Sequence, residues 1–103
     1  MTVIGFLSCA PVTEESMSDQ VARAVDALEE FDVTYETGPM GTTVEAESTD
    51  ELFAAVQAAH DAIDADRVST LLKVDDRRTV DRSAWEKVET VEEELGRPAS
   101  NRE

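Results

Sequence analysis

Several residue types are scarce in this chain, and each shortage excludes something. There is one cysteine, Cys9, so neither an internal disulfide nor a thiolate metal cluster can form. There is one histidine, His60, and a single imidazole makes neither a triad nor a histidine metal site. Basic residues number nine, and only Lys73 and Lys87 are lysines. With no basic stripe to displace counterions from phosphates, nucleic acid is not an expected partner. No stretch approaches the roughly 20 apolar residues of a membrane span, so no membrane partner is expected. The first residues show no basic segment leading into an apolar run and a small-residue cleavage site. The expected location is therefore the cytoplasm.

What the chain has in excess is acid: 24 Asp and Glu against the nine basic residues, a formal charge of -15. The acids are spread along the whole length, and strong apolar periodicity runs between them. Disorder needs high charge together with low hydrophobicity, so this pattern argues for a folded domain. Self-repulsion on this scale destabilises a compact chain in dilute buffer. In molar salt the Debye length falls to about 3 Å and the repulsion is largely screened. The acidity reads as adaptation to concentrated salt; the competing reading is that the acids recruit a cation or a basic partner. At 103 residues there is room for one domain. A domain of this size buries only roughly 60–65% of its unfolded surface, so support from a second subunit is expected.

Thr2 to Ala10 reads as a strand ending at Pro11 and apolar on both faces, with Val3, Gly5, Leu7 and Cys9 on one side and Ile4, Phe6, Ser8 and Ala10 on the other. A helix capped by Ser16 follows, with an apolar stripe of Met17, Val21, Ala24, Leu28 and Phe31. Val33 to Glu36 is a short strand, broken by Gly38-Pro39-Met40-Gly41. Thr42 to Glu47 resumes as a strand with Thr42, Val44 and Ala46 inward. Ser48-Thr-Asp-Glu51 is a capping box opening a second helix, which buries Leu52, Val56, Ala59 and Ile63. Asp66 to Val74 is the last strand, and Asp75-Asp76-Arg77-Arg78 is a charged turn. Ser83-Ala-Trp-Glu86 opens a third helix carrying Trp85, Val88, Val91 and Leu95, stopped by Gly96 and Pro98. The tail from 97 to Glu103 is expected to be flexible.

The order β-α-β-β-α-β with an added C-terminal helix predicts an α+β, ferredoxin-like domain over residues 1–96. Two split βαβ units give a four-stranded antiparallel sheet with both helices on one face. Leu71 and one face of the first strand then expose an apolar patch unless another subunit covers it. Self-association to a dimer or tetramer through the sheet is expected, with the Trp85 helix as a second interface element.

This ordering, the segment Tyr35-Glu-Thr-Gly-Pro-Met-Gly-Thr42 and the turn Lys73-Val-Asp-Asp-Arg-Arg78 resemble the thiamine-binding protein family, small single-domain relatives of YkoF-like proteins. The resemblance runs from the first strand through the Trp85 helix. It implies a ferredoxin-like fold, sheet-to-sheet dimers that often pair into tetramers, and binding of thiamine or its hydroxymethylpyrimidine part, without catalysis. In the first strand, Leu7-Ser-Cys-Ala10 stands where relatives often have a run of aliphatics.

Against that background the candidate ligand residues are Phe6, Ser8, Tyr35, Glu36, Gly38, Met40, Gly41, Thr42 and Arg78. Gly38-Pro-Met-Gly41 is too short for a phosphate loop and precedes a strand rather than a helix. Its glycines either permit a kink through positive φ, or let backbone groups approach a flat heterocycle, or do both. Glu36 or Thr42 can add the paired donors and acceptors that an aminopyrimidine needs. Phe6 and Tyr35 are stacking partners or plain sheet aromatics, and a cationic thiazolium against an aromatic face gains about 0.5–2 kcal/mol. Ser8 shares its strand face with Phe6 and can hydrogen-bond there. Arg78, with Arg77, either holds a thiamine phosphate or pairs with nearby acids. His60 reads as a packed, hydrogen-bonded histidine and Cys9 as a small core residue whose burial disfavours the thiolate.

Three functions compete. The first is a non-catalytic carrier or buffer of thiamine or hydroxymethylpyrimidine, needing no cofactor. The second is a structural oligomer with no specific ligand. The third, an enzyme, lacks a positioned base beside a nucleophile.

Overall fold

The structure is a computed structural model that describes residues 1–102. Its elements are β1 (Thr2–Pro11), α1 (Ser18–Ala27), a 3₁₀ turn (Leu28–Glu30), β2 (Thr34–Thr37), β3 (Thr42–Ala46), α2 (Thr49–Asp61), β4 (Val68–Arg77) and α3 (Glu86–Leu95). The sheet order is β2-β3-β1-β4, antiparallel throughout, with the long β1 central and both crossovers covering one face. This is the ferredoxin-like α+β arrangement that the element order implies.

Period-two alternation sorts the sheet. Val3, Leu7 and Cys9 of β1 and Thr42, Val44 and Ala46 of β3 face the helices and are buried. Leu52, Val56, Ala59 and Ile63 of the second helical stripe close over them, joined by Ala24 and Leu28 of the first. Gly5 belongs to this face because a methyl group there would meet Leu52 Cδ1 at 3.0 Å and Leu72 Cδ1 at 3.2 Å.

The local signals are met unevenly. Ser48 Oγ accepts from Glu51 N at 3.2 Å, but the Glu51 carboxylate turns away and accepts from Asp32 N at 2.9 Å. Half of the capping box thus ties α2 to the loop before β2. Ser16 does not cap α1: the helix starts two residues later, and Met17, at the capping position, gives no side-chain hydrogen bond. Ser83 Oγ accepts from Trp85 N at 3.3 Å, yet regular helix begins only at Glu86. The charged segment after Val74 is not a turn. Asp75, Asp76 and Arg77 pair with Ile4, Val3 and Thr2, since the start of β1 needs a ladder partner on that side. Gly96 ends α3 with a left-handed φ of 71°. Glu103, at the end of the expected tail, lies outside the described residues.

The other face of the sheet is partly covered by the chain's own C-terminal segment. Ala84 N donates to Glu45 Oε1 at 2.6 Å, Trp85 Nε1 to Glu36 Oε2 at 2.6 Å, and Lys87 Nζ to Asp75 Oδ2 at 2.8 Å. This clamp spans β2, β3 and β4. It leaves Leu71 66% exposed and Phe6 38% exposed, and Val88, Val91 and Leu95 of α3 are about half exposed as well.

Candidate ligand site

A pocket of about 190 Å³ opens between one face of α1 running from Met17 to Leu28, the C-terminal half of β1 and the hairpin that joins β2 to β3. The hairpin forms one wall, and its geometry follows from four residues. Thr37 and Thr42 pair across the ladder with their hydroxyl oxygens 3.0 Å apart, and Gly38 N donates to Gly41 O at 2.8 Å. Pro39 and Met40 turn the chain, and Met40 stands 81% exposed over the pocket mouth.

The glycines do not act through positive φ, which among the described residues only Gly96 adopts. Gly41 is small because the hairpin lies flat on β1. A Cβ there would fall 2.7 Å from the Leu7 carbonyl oxygen and 2.7 Å from Phe6 Cζ. Gly38 is under no such constraint, since its Cβ would meet only Gly41 O, at 3.7 Å.

The pocket brings together Gly38, Met40, Gly41 and Thr42 from the candidate set. Ser8 borders it as well, but alternation with Leu7 and Cys9 and its pairing with Leu71 put its side chain on the open face, with Phe6. Tyr35 borders it, in an adjoining shallow groove with Asp26, Val21 and Thr37. Its phenol donates to the Glu29 carboxylate. That hydrogen bond, with burial and the charges of Glu29 and Asp26, holds the Tyr35 hydroxyl above its ordinary ionisation range. Three candidates lie elsewhere. Phe6 packs under Gly41 but faces the opposite side of the sheet, beside Ile4, Lys73 and Lys87. Glu36 is on that side too, engaged by Trp85. Arg78 follows the far end of β4, where its Nε donates to Asp76 Oδ2 at 2.9 Å. That hydrogen bond also holds the guanidinium above its ordinary range.

Sequence reasoning missed the other half of the lining. Met17, Val21 and Ala24 share one helical stripe, but only Ala24 is buried in the core; Met17 is exposed and Val21 half-buried, and all three line the pocket. Cys9 and Thr37 complete the polar atoms of the wall. No side chain lining the pocket carries a charge. Thr37 and Thr42 have two hydroxyl protons, one used between them, so one donor and several lone pairs remain for a guest.

Comparison with known proteins agrees with this architecture. A family model described as thiamine-binding protein matches residues 6–92. A UPF0045 protein of Methanothermobacter thermautotrophicus is 48% identical over 92% of this chain and 95% of its own length. A UPF0045 protein of Mycobacterium bovis is 34% identical over 95% of this chain and 99% of its own. Among solved structures, the hypothetical protein MJ1052 of Methanocaldococcus jannaschii is 30% identical and superimposes with a TM-score of 0.81, over 89% of this chain and 97% of that one. A Thermotoga maritima protein named for a thiamine biosynthesis or salvage role shares the fold at a TM-score of 0.76 and 24% identity, over 88% of this chain and 99% of that one. The match covers both crossovers, the hairpin and most of α3, and the chain belongs to the thiamine-binding protein family.

Proposed function

We propose that this protein binds thiamine or its free hydroxymethylpyrimidine part without transforming it, as a carrier or buffer, and does so as a homo-oligomer. The observation that carries this reading is the uncharged 190 Å³ pocket beneath the hairpin. An engineered cavity of about 150 Å³ takes up benzene, so this one suits a single substituted ring and is too small for two. A neutral aminopyrimidine meets those terms: its faces pack against Val21 and Ala24, and its ring nitrogens and amino group meet the Thr37–Thr42 hydroxyls. The thiazolium of intact thiamine is cationic and must remain outside. The adjoining groove, with Tyr35, Asp26 and nearby Glu29, offers it an aromatic face and negative charge. A diphosphate would meet those acids unfavourably, and Arg78 stands at the other end of β1, already paired with Asp76.

Calorimetry in molar potassium chloride with hydroxymethylpyrimidine, thiamine and thiamine diphosphate tests the reading. Heat is expected with the first two and weaker binding with the third. No heat with any of them, from a folded oligomer, leaves the structural-oligomer reading in its place.

Self-association is supported by the exposed Leu71 and Phe6 on the open sheet face and by the apolar stripe of α3. Light scattering is expected to report a dimer or tetramer, and Leu71→Glu to shift it toward monomer. A wild-type monomer in strong salt would overturn this part.

A further inference from the structure

The wall of the pocket is wired to the only histidine of the chain. Cys9, which lines the pocket, has its Sγ 3.1 Å from Thr70 Oγ1, and the same oxygen lies 2.6 Å from His60 Nδ1. The three side chains come from three elements. Cys9 and Thr70 are ladder partners on the helix side of β1 and β4, and His60 reaches them from the last turn of α2.

We infer that His60, outside the pocket, is a positioning residue that sets whether the pocket wall presents a hydrogen-bond donor or an acceptor at Cys9. A threonine hydroxyl has one proton, so a chain of three such groups has a direction. When His60 Nδ1 is unprotonated it accepts from Thr70, and Thr70 Oγ1 in turn accepts from the Cys9 S–H. The sulfur then shows only lone pairs to the pocket. When the imidazole is protonated, Nδ1–H must donate to Thr70, and the Thr70 proton swings onto Sγ. The S–H is released to point at a guest, and the thiolate, if formed, gains a donor. Imidazole is the side chain whose ordinary charge change lies between about pH 5 and 8, so the reversal is sought across that range.

The charged surroundings are asymmetric. Asp61, Asp64 and Asp66 follow His60 in its own helix end and loop, and Arg67 precedes β4. The helix-side face of β1 carries no charge, and that of β4 only Asp76, which Arg78 engages at the far end. Packed α1 contributes exposed Asp19, Arg23 and Asp26, and Gln20, which accepts from Asp64 N at 2.8 Å.

The consequence for a pyrimidine rests on the proposed function, but the relay can be tested without a ligand. One thiol and one imidazole make the signals unambiguous. The rate of Cys9 alkylation by iodoacetamide is followed from about pH 5 to 9 in wild type, His60→Gln, Thr70→Val and Thr70→Ser. Wild type is expected to show a second inflection in the imidazole range, with rates on its acid side severalfold above a simple thiol curve. His60→Gln and Thr70→Val should lose that inflection and Thr70→Ser should keep it. Identical profiles in all four proteins overturn the inference. Coupling is reciprocal, so Cys9→Ala must also move the titration midpoint of His60, read from its ring-nitrogen resonances. If that midpoint is unmoved, the relay fails even where the thiol is too shielded to alkylate. A relay that stands while calorimetry shows no heat leaves the wiring intact and removes only its ligand.

Discussion

Replacing Gly41 and Gly38 separately by alanine should have opposite effects, although the two glycines flank one turn. At Gly41 the new methyl would sit 2.7 Å from a backbone oxygen, that of Leu7, and 2.7 Å from the Phe6 ring. The ring can rotate away, but the carbonyl is held in the β1–β3 ladder beside the Leu7–Thr42 pair. Relief requires the hairpin to lift from β1, and overpacking of this kind costs about 1–3 kcal/mol. At Gly38 the methyl finds ordinary contact at 3.7 Å, and φ lies in the range any residue adopts. Its main effect is to restrict the unfolded chain, worth about 0.4–1 kcal/mol of stabilisation. Together the two variants should differ by about 1.4–4 kcal/mol. At about 4–8 °C per kcal/mol for a domain of this size, that places their melting temperatures at least about 6 °C apart. Thermal and urea unfolding in molar potassium chloride, at one fixed protein concentration because assembly shifts apparent stability, measures the difference. If Gly41→Ala proves no less stable than Gly38→Ala, the close approach of hairpin to β1 is wrong, and with it the shape of the pocket.

Ala24→Leu should crowd the pocket from α1 and abolish calorimetric heat with hydroxymethylpyrimidine, at a cost of about 1–3 kcal/mol in unfolding stability because Ala24 is also buried in the core. Retained affinity would move the site elsewhere. Tyr35, the only tyrosine, has a folded-state ionisation raised first by its hydrogen bond to Glu29. A raised value contributes stability that is complete below the unfolded value of about 10 and is lost as pH rises through the folded one. Phenolate absorbance should therefore rise later in the folded protein than in urea, and Tyr35→Phe should remove that part of the alkaline loss. Asp75 has the opposite sign: the Lys87 hydrogen bond lowers its value, so its contribution is present above about pH 4 and disappears in acid. Lys87→Met should flatten the acid limb of the stability curve. Finally, raising potassium chloride from about 0.1 M to 1 M shortens the Debye length from about 10 Å to 3 Å. With a charge of -15, the melting temperature should climb across that range, and a flat response would sink the salt-adaptation reading.

Much of this was legible in order along the chain. Leu52, Val56, Ala59 and Ile63 repeat at helical spacing and are buried, and Thr42, Val44 and Ala46 alternate and are buried, because period alone decides which face an element hides. Ser48 capped its helix and Gly96 stopped one, since both act within a turn of their own position. Where the reading failed, a distant partner had decided. Asp75 to Arg77 resemble a turn until Thr2, Val3 and Ile4 demand a ladder. Glu36 belongs to Trp85, Glu45 to Ala84 and Glu51 to Asp32. Met17 and Val21 share the stripe of Ala24 and Leu28, yet only the latter two are buried, while Met17 is exposed and Val21 half-buried along the pocket.

Local sequence by itself determined the elements, their buried faces and, through their order, a four-stranded ferredoxin-like sheet. It also determined the charge, and with it the expectation of a salt-rich setting. Only the tertiary structure decided which candidate residues share a pocket, why Gly41 has no side chain, and that Cys9, Thr70 and His60 form one hydrogen-bonded line. Those outcomes depend on contacts across as many as 61 positions of chain, and no local pattern encodes a distance between residues that meet only when the sheet closes.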